Sequence, residues 1–120
     1  MSRILLLLEN NKNRDLLTAF LGIHHEIITT DEDRNLDVAF DLCLIDVASL
    51  ERMQQAILAR RGRERSAFLP FVLVTGRRDL DMTAGHLWRI VDEVISTPIE
   101  KSELQARVEM LLRTRQLSLE

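Results

Sequence analysis

Three residues with chemistry to offer stand at the ends of apolar runs. Asp46 closes the run Leu42 to Ile45, Glu9 follows Ile4 to Leu8, and Thr75 follows Phe71 to Val74. A carboxylate at the end of a buried strand is costly unless it has partners or a task. The placement of Asp46 suggests a phosphoacceptor.

Other reactive residues read more plainly. Cys43 lies inside the apolar run and is a small core residue, not a reactive thiol. His24 and His25 precede a strand, and no further metal ligands stand at suitable spacing. The basic stretch 60–65, RRGRER, reads as a solvated helix end, since cations suit helix C-termini. Trp88, beside Leu87 and Ile90, reads as packing. There is no Gly-rich phosphate loop, nucleophile elbow or paired-Cys motif.

The elements that must position these residues follow from hydrophobic pattern. Ile4 to Leu8 is apolar without alternation, as in strands buried on both faces. Leu16, Leu17, Phe20 and Leu21 recur at helical spacing, with Gly22 as a C-terminal cap. Glu26 to Thr30 reads as a strand, Asp31 to Phe40 as a weak charged helix, and Asp41 to Val47 as a second buried strand. Leu50 to Arg61 predicts a helix with Leu50, Met53, Ile57 and Leu58 on one side and Gly62 as its stop. A strand over Phe71 to Thr75, a helix over Leu80 to Ile90 and a strand over Glu93 to Ser96 follow. After Pro98 the clearest helix carries Leu104, Val108, Leu111 and Leu112 on one stripe.

This alternation implies βαβ units and an α/β fold. The expected architecture is a flavodoxin-like, doubly wound, five-stranded parallel sheet of order 2-1-3-4-5 with helices on both faces. Its working crevice lies at the switch point between strands one and three, where Glu9, Asp46 and Thr75 fall.

With 120 residues, one domain is expected, with a radius of gyration of about 14 Å. The net charge of −3 and pI near 5.6 give no electrostatic footprint for nucleic acid. A single cysteine forbids an intrachain disulfide, and no stretch reaches membrane-spanning length. The expectation is a soluble, cytoplasmic protein with no direct membrane insertion.

Four segments together resemble the receiver (CheY-like) domain of two-component response regulators: RILLLLENNKNRDLL (3–17), DLCLID (41–46), VLVTG (72–76) and DEVISTP (92–98). The resemblance covers essentially the whole chain. It implies phosphoryl transfer from a kinase histidine to Asp46, which needs an in-line carboxylate and cations that neutralise the moving charge. Thr75 takes the family's hydroxyl position, Gly76 its small neighbour, and Glu9 the second of two metal-side acids. Leu8 stands where the first acid belongs, Thr97 where a lysine belongs, and Val94 where a switch aromatic belongs. These departures remove one Mg2+ ligand and a fixed cation together. The resemblance therefore implies an atypical member, with a weakened Mg2+ site at Glu9 and Asp46 and weak or absent phosphorylation. Arg77 and Arg78, directly after Gly76, are charge substitutes in prospect.

The second half, with HLWR (86–89), VDE (91–93), PIEK (98–101) and ELQAR (103–107), is similar to receiver-like domains at the amino end of sensor histidine kinases. That implies a regulatory module rather than an enzyme, with a histidine kinase or attached kinase module as partner. Residues 1–113 form the expected domain and 114–120 the start of a helical linker. Leu117 and Leu119 lie past that edge and point to a downstream module, or to a homodimer through the last helix. Two alternatives remain: a phosphorylation-competent response regulator, and a small-molecule binder using the same crevice.

Overall fold

The computed structural model describes residues 1–29, 36–64, 66–76 and 89–120. Strand β1 (Arg3–Leu7) leads to helix α1 (Asn11–Leu21) and strand β2 (Glu26–Thr29). Strand β3 (Leu42–Asp46) passes directly into helix α2 (Val47–Glu64). Strands β4 (Phe71–Gly76) and β5 (Glu93–Thr97) follow, and helix α3 (Lys101–Ser118) is last. The five strands are all parallel, in the order β2-β1-β3-β4-β5. This is the expected topology, and the radius of gyration is 13.4 Å.

Period-two side-chain alternation sorts each strand between two cores. Leu5, Leu7, Cys43, Ile45, Phe71 and Leu73 face α2, where Leu50, Met53 and Ile57 cover them. Ile4, Leu6, Leu42, Leu44, Val72 and Val74 face α1 and α3, which contribute Leu17, Leu21, Leu104 and Val108. Because both faces are covered, the strands read as unbroken apolar runs. Cys43 is fully buried, and burial pushes its thiol pKa far up, so it packs as a small apolar side chain.

Several expected details differ. Residues 36–40, the described part of the predicted weak helix, are not helical. Leu36 has a φ of 51°, which a right-handed helix cannot contain. The segment instead drops Leu36 and Phe40 into the core. Arg60 holds it there, donating to the Leu36 and Val38 carbonyls and lying 4.6 Å from the centre of the Phe40 ring. Helix α2 starts three residues earlier than predicted and runs through Gly62, where an added Cβ would meet nothing within 4 Å. The helix is kinked at Met53 (φ −111°, ψ 17°), and Leu58 is exposed while Leu50, Met53 and Ile57 are buried. Leu16 is likewise exposed on α1. Gly22 does cap α1, but with a right-handed φ of −67°. Its role is close approach: a Cβ there would sit 2.6 Å from the Thr18 carbonyl oxygen. The helix expected over 80–90 lies almost wholly outside the described residues, as does Trp88.

The basic stretch is not simply solvated. Arg60 pairs with Glu64, Arg61 with Asp92, and Arg63 with Asp37. Asp92 also accepts from the Phe71 N–H at 2.8 Å. Burial raises its carboxyl above the ordinary range, against the pull of that amide and of Arg61.

Helix α3 is capped by Glu100, whose carboxylate accepts from the Ser102 and Glu103 amides and is held below its usual pKa by them. Contacts with the body of the domain continue past residue 113. Arg115 is only 9% exposed; it bonds Asp41 at 3.1 Å and donates to the Phe68 carbonyl. Asp41 in turn accepts from the Arg3 N–H, and Ser118 accepts from the Phe68 N–H. One cation thus ties the end of α3 to the starts of β1 and β3. Arg115→Ala is expected to lower stability by about 1–3 kcal/mol, since it strands a partly buried carboxylate. Exposed Arg113→Ala should stay within about 0.5 kcal/mol of the parent. Urea unfolding of both variants checks the contrast.

Candidate functional site

The carboxyl ends of β1, β3, β4 and β5 meet at one edge of the sheet. Register places Leu7 beside Ile45, Asp46 beside Val74, and Gly76 beside Thr97. A crevice of about 510 Å³ opens there, walled by Asn10, Asn13, Asp46, Val47, Ala48, Glu51, Val74, Thr75, Gly76 and Thr97. Asp46, Thr75 and Thr97 therefore come together, as their strand-end positions require.

Asp46 has two backbone donors. Its Oδ2 accepts from the Glu9 N–H at 2.7 Å, and its Oδ1 from the Ser49 N–H at 2.9 Å. The second bond is an N-cap. Asp46 stands immediately before α2, and the amide three residues on has no partner within the helix. The first bond fixes the loop after β1 against β3. The cost of a strand-end carboxylate is thus offset locally, whatever else Asp46 does.

Glu9 is near Asp46 through its backbone, not its side chain. The Glu9 carboxylate pairs with Arg52 of α2 and is not on the crevice wall. Leu8 is 5% exposed and packs in the core beneath α1 and α3. Arg14 donates to the Leu8 carbonyl at 2.7 Å and steadies the end of β1. Thr75 is buried, and among the described residues its hydroxyl is placed 3.5 Å from the Gly76 carbonyl oxygen. Val94 is partly buried against the α2-side core. Arg77 and Arg78 lie outside the described residues.

Sequence reasoning missed Arg52, Glu51, Asn10 and Asn13. Asn10 was legible as a helix cap: its Oδ1 accepts from the Asn13 N–H at 3.0 Å. Arg52 was not, because only the fold brings it to a residue 43 positions away. At the opposite end of the sheet, a second cavity of about 600 Å³ is bordered by Phe20, His24, His25, Gln105 and Glu109. His25 pairs there with Glu109 at 2.9 Å. Among the described residues, no group of three His, Cys, Asp or Glu side chains could hold a metal ion.

No protein-family model matches the sequence, and no curated protein matches it significantly. Solved structures do match in shape. NtrX from Brucella abortus superposes with a TM-score of 0.78 at 22% identity, over 97% of this chain and 27% of that one. A CheY-like response regulator receiver protein from Methanospirillum hungatei JF-1 gives 0.73 at 17% identity, covering 97% of each chain. A response regulator receiver modulated diguanylate cyclase from Pelobacter carbinolicus gives 0.73 at 20%, over 98% of this chain and 97% of that one.

The fold is that of a receiver domain. The chain spans about a quarter of the NtrX chain it resembles. Among the described residues, no helix is long and apolar enough to cross a membrane.

Receiver domains typically bind Mg2+. Mg2+ prefers octahedral oxygen ligation and takes one or two protein carboxylates beside its waters. Among the described residues, Asp46 and Glu51 are the acids on the crevice wall; Glu9 is paired with Arg52, and Leu8 offers no carboxylate. As they stand, the strand-end acids do not fit the ion.

The N-cap predicts a graded response at Asp46. Asp46→Ala leaves the Glu9 and Ser49 amides without their acceptor and should cost about 1–3 kcal/mol. Asp46→Asn keeps one acceptor oxygen and should cost less. Chemical denaturation of both variants measures the order.

Proposed function

We propose that this chain is an atypical receiver domain of two-component signalling. It acts as a regulatory module attached to a sensor histidine kinase and works through protein contact, with weak or absent phosphorylation at Asp46. The observation that carries this reading is the position of Asp46. It stands at the carboxyl end of the central strand of a 2-1-3-4-5 sheet and shares a crevice with Thr75.

The charge around that position supports the atypical part. Phosphorylation adds about −1.5 to −2 charge on an ordinary side chain, and a phosphoaspartate should be comparably demanding. Thr97 borders the crevice at the position where the family resemblance expects a lysine, and it offers a hydroxyl in place of a cation. Electrostatic donors of this kind supply much of the catalysis of group transfer, so transfer to Asp46 is slow.

Contact with a partner module fits the last helix. Met110 and Leu117, seven residues apart on one side of the helix, are 63% and 62% exposed, an apolar pair for a neighbouring kinase module or a second copy of this chain. In this reading residues 1–113 carry the receiver and 114–120, still tied to it through Arg115 and Ser118, begin the connection, in the cytoplasm. The named coupling of a receiver to a cyclase in the Pelobacter protein is a precedent for a receiver acting on an attached enzyme.

Incubation with Mg2+ and a small-molecule phosphodonor, followed by intact-mass measurement, tests the reading. The expected result is no stable phosphoryl adduct on the parent chain and an adduct on Thr97→Lys. Efficient Mg2+-dependent labelling of the parent, abolished in Asp46→Asn, would establish the phosphorylation-competent alternative instead.

A further inference from the structure

The second cavity, about 600 Å³, lies at the end of the sheet away from Asp46. Phe20 and Leu21 of α1 give it an apolar side, and His25, Gln105 and Glu109 a polar one. Its size suits a small molecule, since such pockets run from about 300 to 1,000 Å³.

His25, the residue before β2, is held in an unusual way. Its side chain is only 9% exposed, and Nε2 lies 2.9 Å from Glu109 Oε1 on α3. A carboxylate only accepts, so Nε2 bears the hydrogen. Nδ1 is buried without a hydrogen-bond partner, the one side-chain nitrogen or oxygen so placed among the described residues. A buried polar group normally finds a partner, and leaving one unpaired is destabilising. The ring is thus buried at a cost, and its single bond fixes a carboxylate 84 positions along the chain.

That carboxylate is not itself buried. The Glu109 side chain is 58% exposed, and its Oε2 has no partner among the described residues. Gln105, one turn earlier on α3, donates its NH2 group to the Phe20 carbonyl at 3.4 Å, which leaves its amide oxygen as a second acceptor. The polar side of the cavity therefore offers acceptors, one of them charged. Among the described residues no three metal-ligating side chains converge, so a metal ion does not suit it.

We propose that this cavity is a binding site for a small organic amine, a primary ammonium on a short apolar stem. The ammonium meets Glu109 Oε2 and the Gln105 amide oxygen, and the stem lies against Phe20 and Leu21. His25 is a positioning residue: it aims the carboxylate and does not bind the ammonium. Two cations are close by. Met1 borders the cavity but is 93% exposed, so its amino group is screened. The Lys101 ammonium lies 5.7 Å from the centre of the Phe20 ring, so this ring already has a cation over it. The site uses none of the chemistry at Asp46 and does not rest on the receiver reading.

The probe is phenethylamine, titrated into the 15N-labelled full chain and followed by NMR. The Gln105 side-chain amide and the Leu21 and Glu109 backbone amides should shift together, with a Kd of about 1–10 mM. Phenylethanol and phenylacetate carry the same stem with a neutral or an anionic head. They should bind about two- to fivefold more weakly, the range an exposed ion pair supplies. Glu109→Gln should bring the amine down to the level of the alcohol. His25→Leu, which fills the space without holding Glu109, should weaken the amine and leave the alcohol unchanged. Should His25→Leu fold poorly, the exposed Glu109→Gln decides alone. Equal binding of all three probes overturns the proposal, as does an amine preference that survives Glu109→Gln. Shifts confined to the Asp46 crevice, or none up to about 50 mM amine, overturn it as well.

Discussion

The carboxylate of Asp46, shared between the amides of Glu9 and Ser49, is the interaction on which the working end of this molecule depends. It joins three elements that the chain visits far apart: the loop after β1, the end of β3 and the first turn of α2. A charge at a buried strand end would ordinarily be destabilising. Two charge-assisted hydrogen bonds and the positive end of a helix reverse that. The same bonds set the geometry of the crevice, because Asp46 fixes both where α2 begins and where Glu9 can turn. Arg52 then meets Glu9 as a consequence of the helix start.

Elsewhere the sheet is positioned by apolar burial on both faces, and the loops by single cations. Arg115 ties the end of α3 to Asp41 and the Phe68 carbonyl. Arg60 clasps the segment around Leu36 and Phe40. Arg61 anchors Asp92 at the entry to β5. Each such cation satisfies loop groups that the regular hydrogen-bond ladders leave over, which is why buried backbone in these loops is tolerable. The fold is thus a receiver's sheet with arginine clasps at its edges, and Arg52 adds one on the loop after β1.

The strands and their order were legible because a parallel sheet covered on both sides leaves unbroken apolar runs such as Ile4 to Leu8 and Leu42 to Ile45. The positions of Asp46, Thr75 and Thr97 followed from those runs, since a strand end is fixed by where its apolar stretch stops. What escaped depended on side chains acting at long range. Leu36 looked like helix content, yet its left-handed backbone is set by the pocket it fills and by Arg60. The start of α2 was misplaced because Asp46 was read for chemistry and not as a cap. Leu58 was grouped with Ile57, but adjacent helix residues lie about 100° apart, and only Ile57 falls on the buried stripe. Arg115 carried no local signal of its burial, because Asp41 and the Phe68 carbonyl reach it only in the fold. Arg52 and Glu9 carry no local signal of each other at all.

Hydrogen exchange at single amides tests the central interaction most directly. The Glu9 and Ser49 N–H groups have no strand or helix acceptor, so their protection reports the Asp46 carboxylate alone. Both should exchange much more slowly than the neighbouring loop amide of Asn10 in the parent chain, and both should lose that protection in Asp46→Ala. Exchange of Glu9 and Ser49 at open-loop rates in the parent, or protection that persists without the carboxylate, would contradict the role assigned to Asp46.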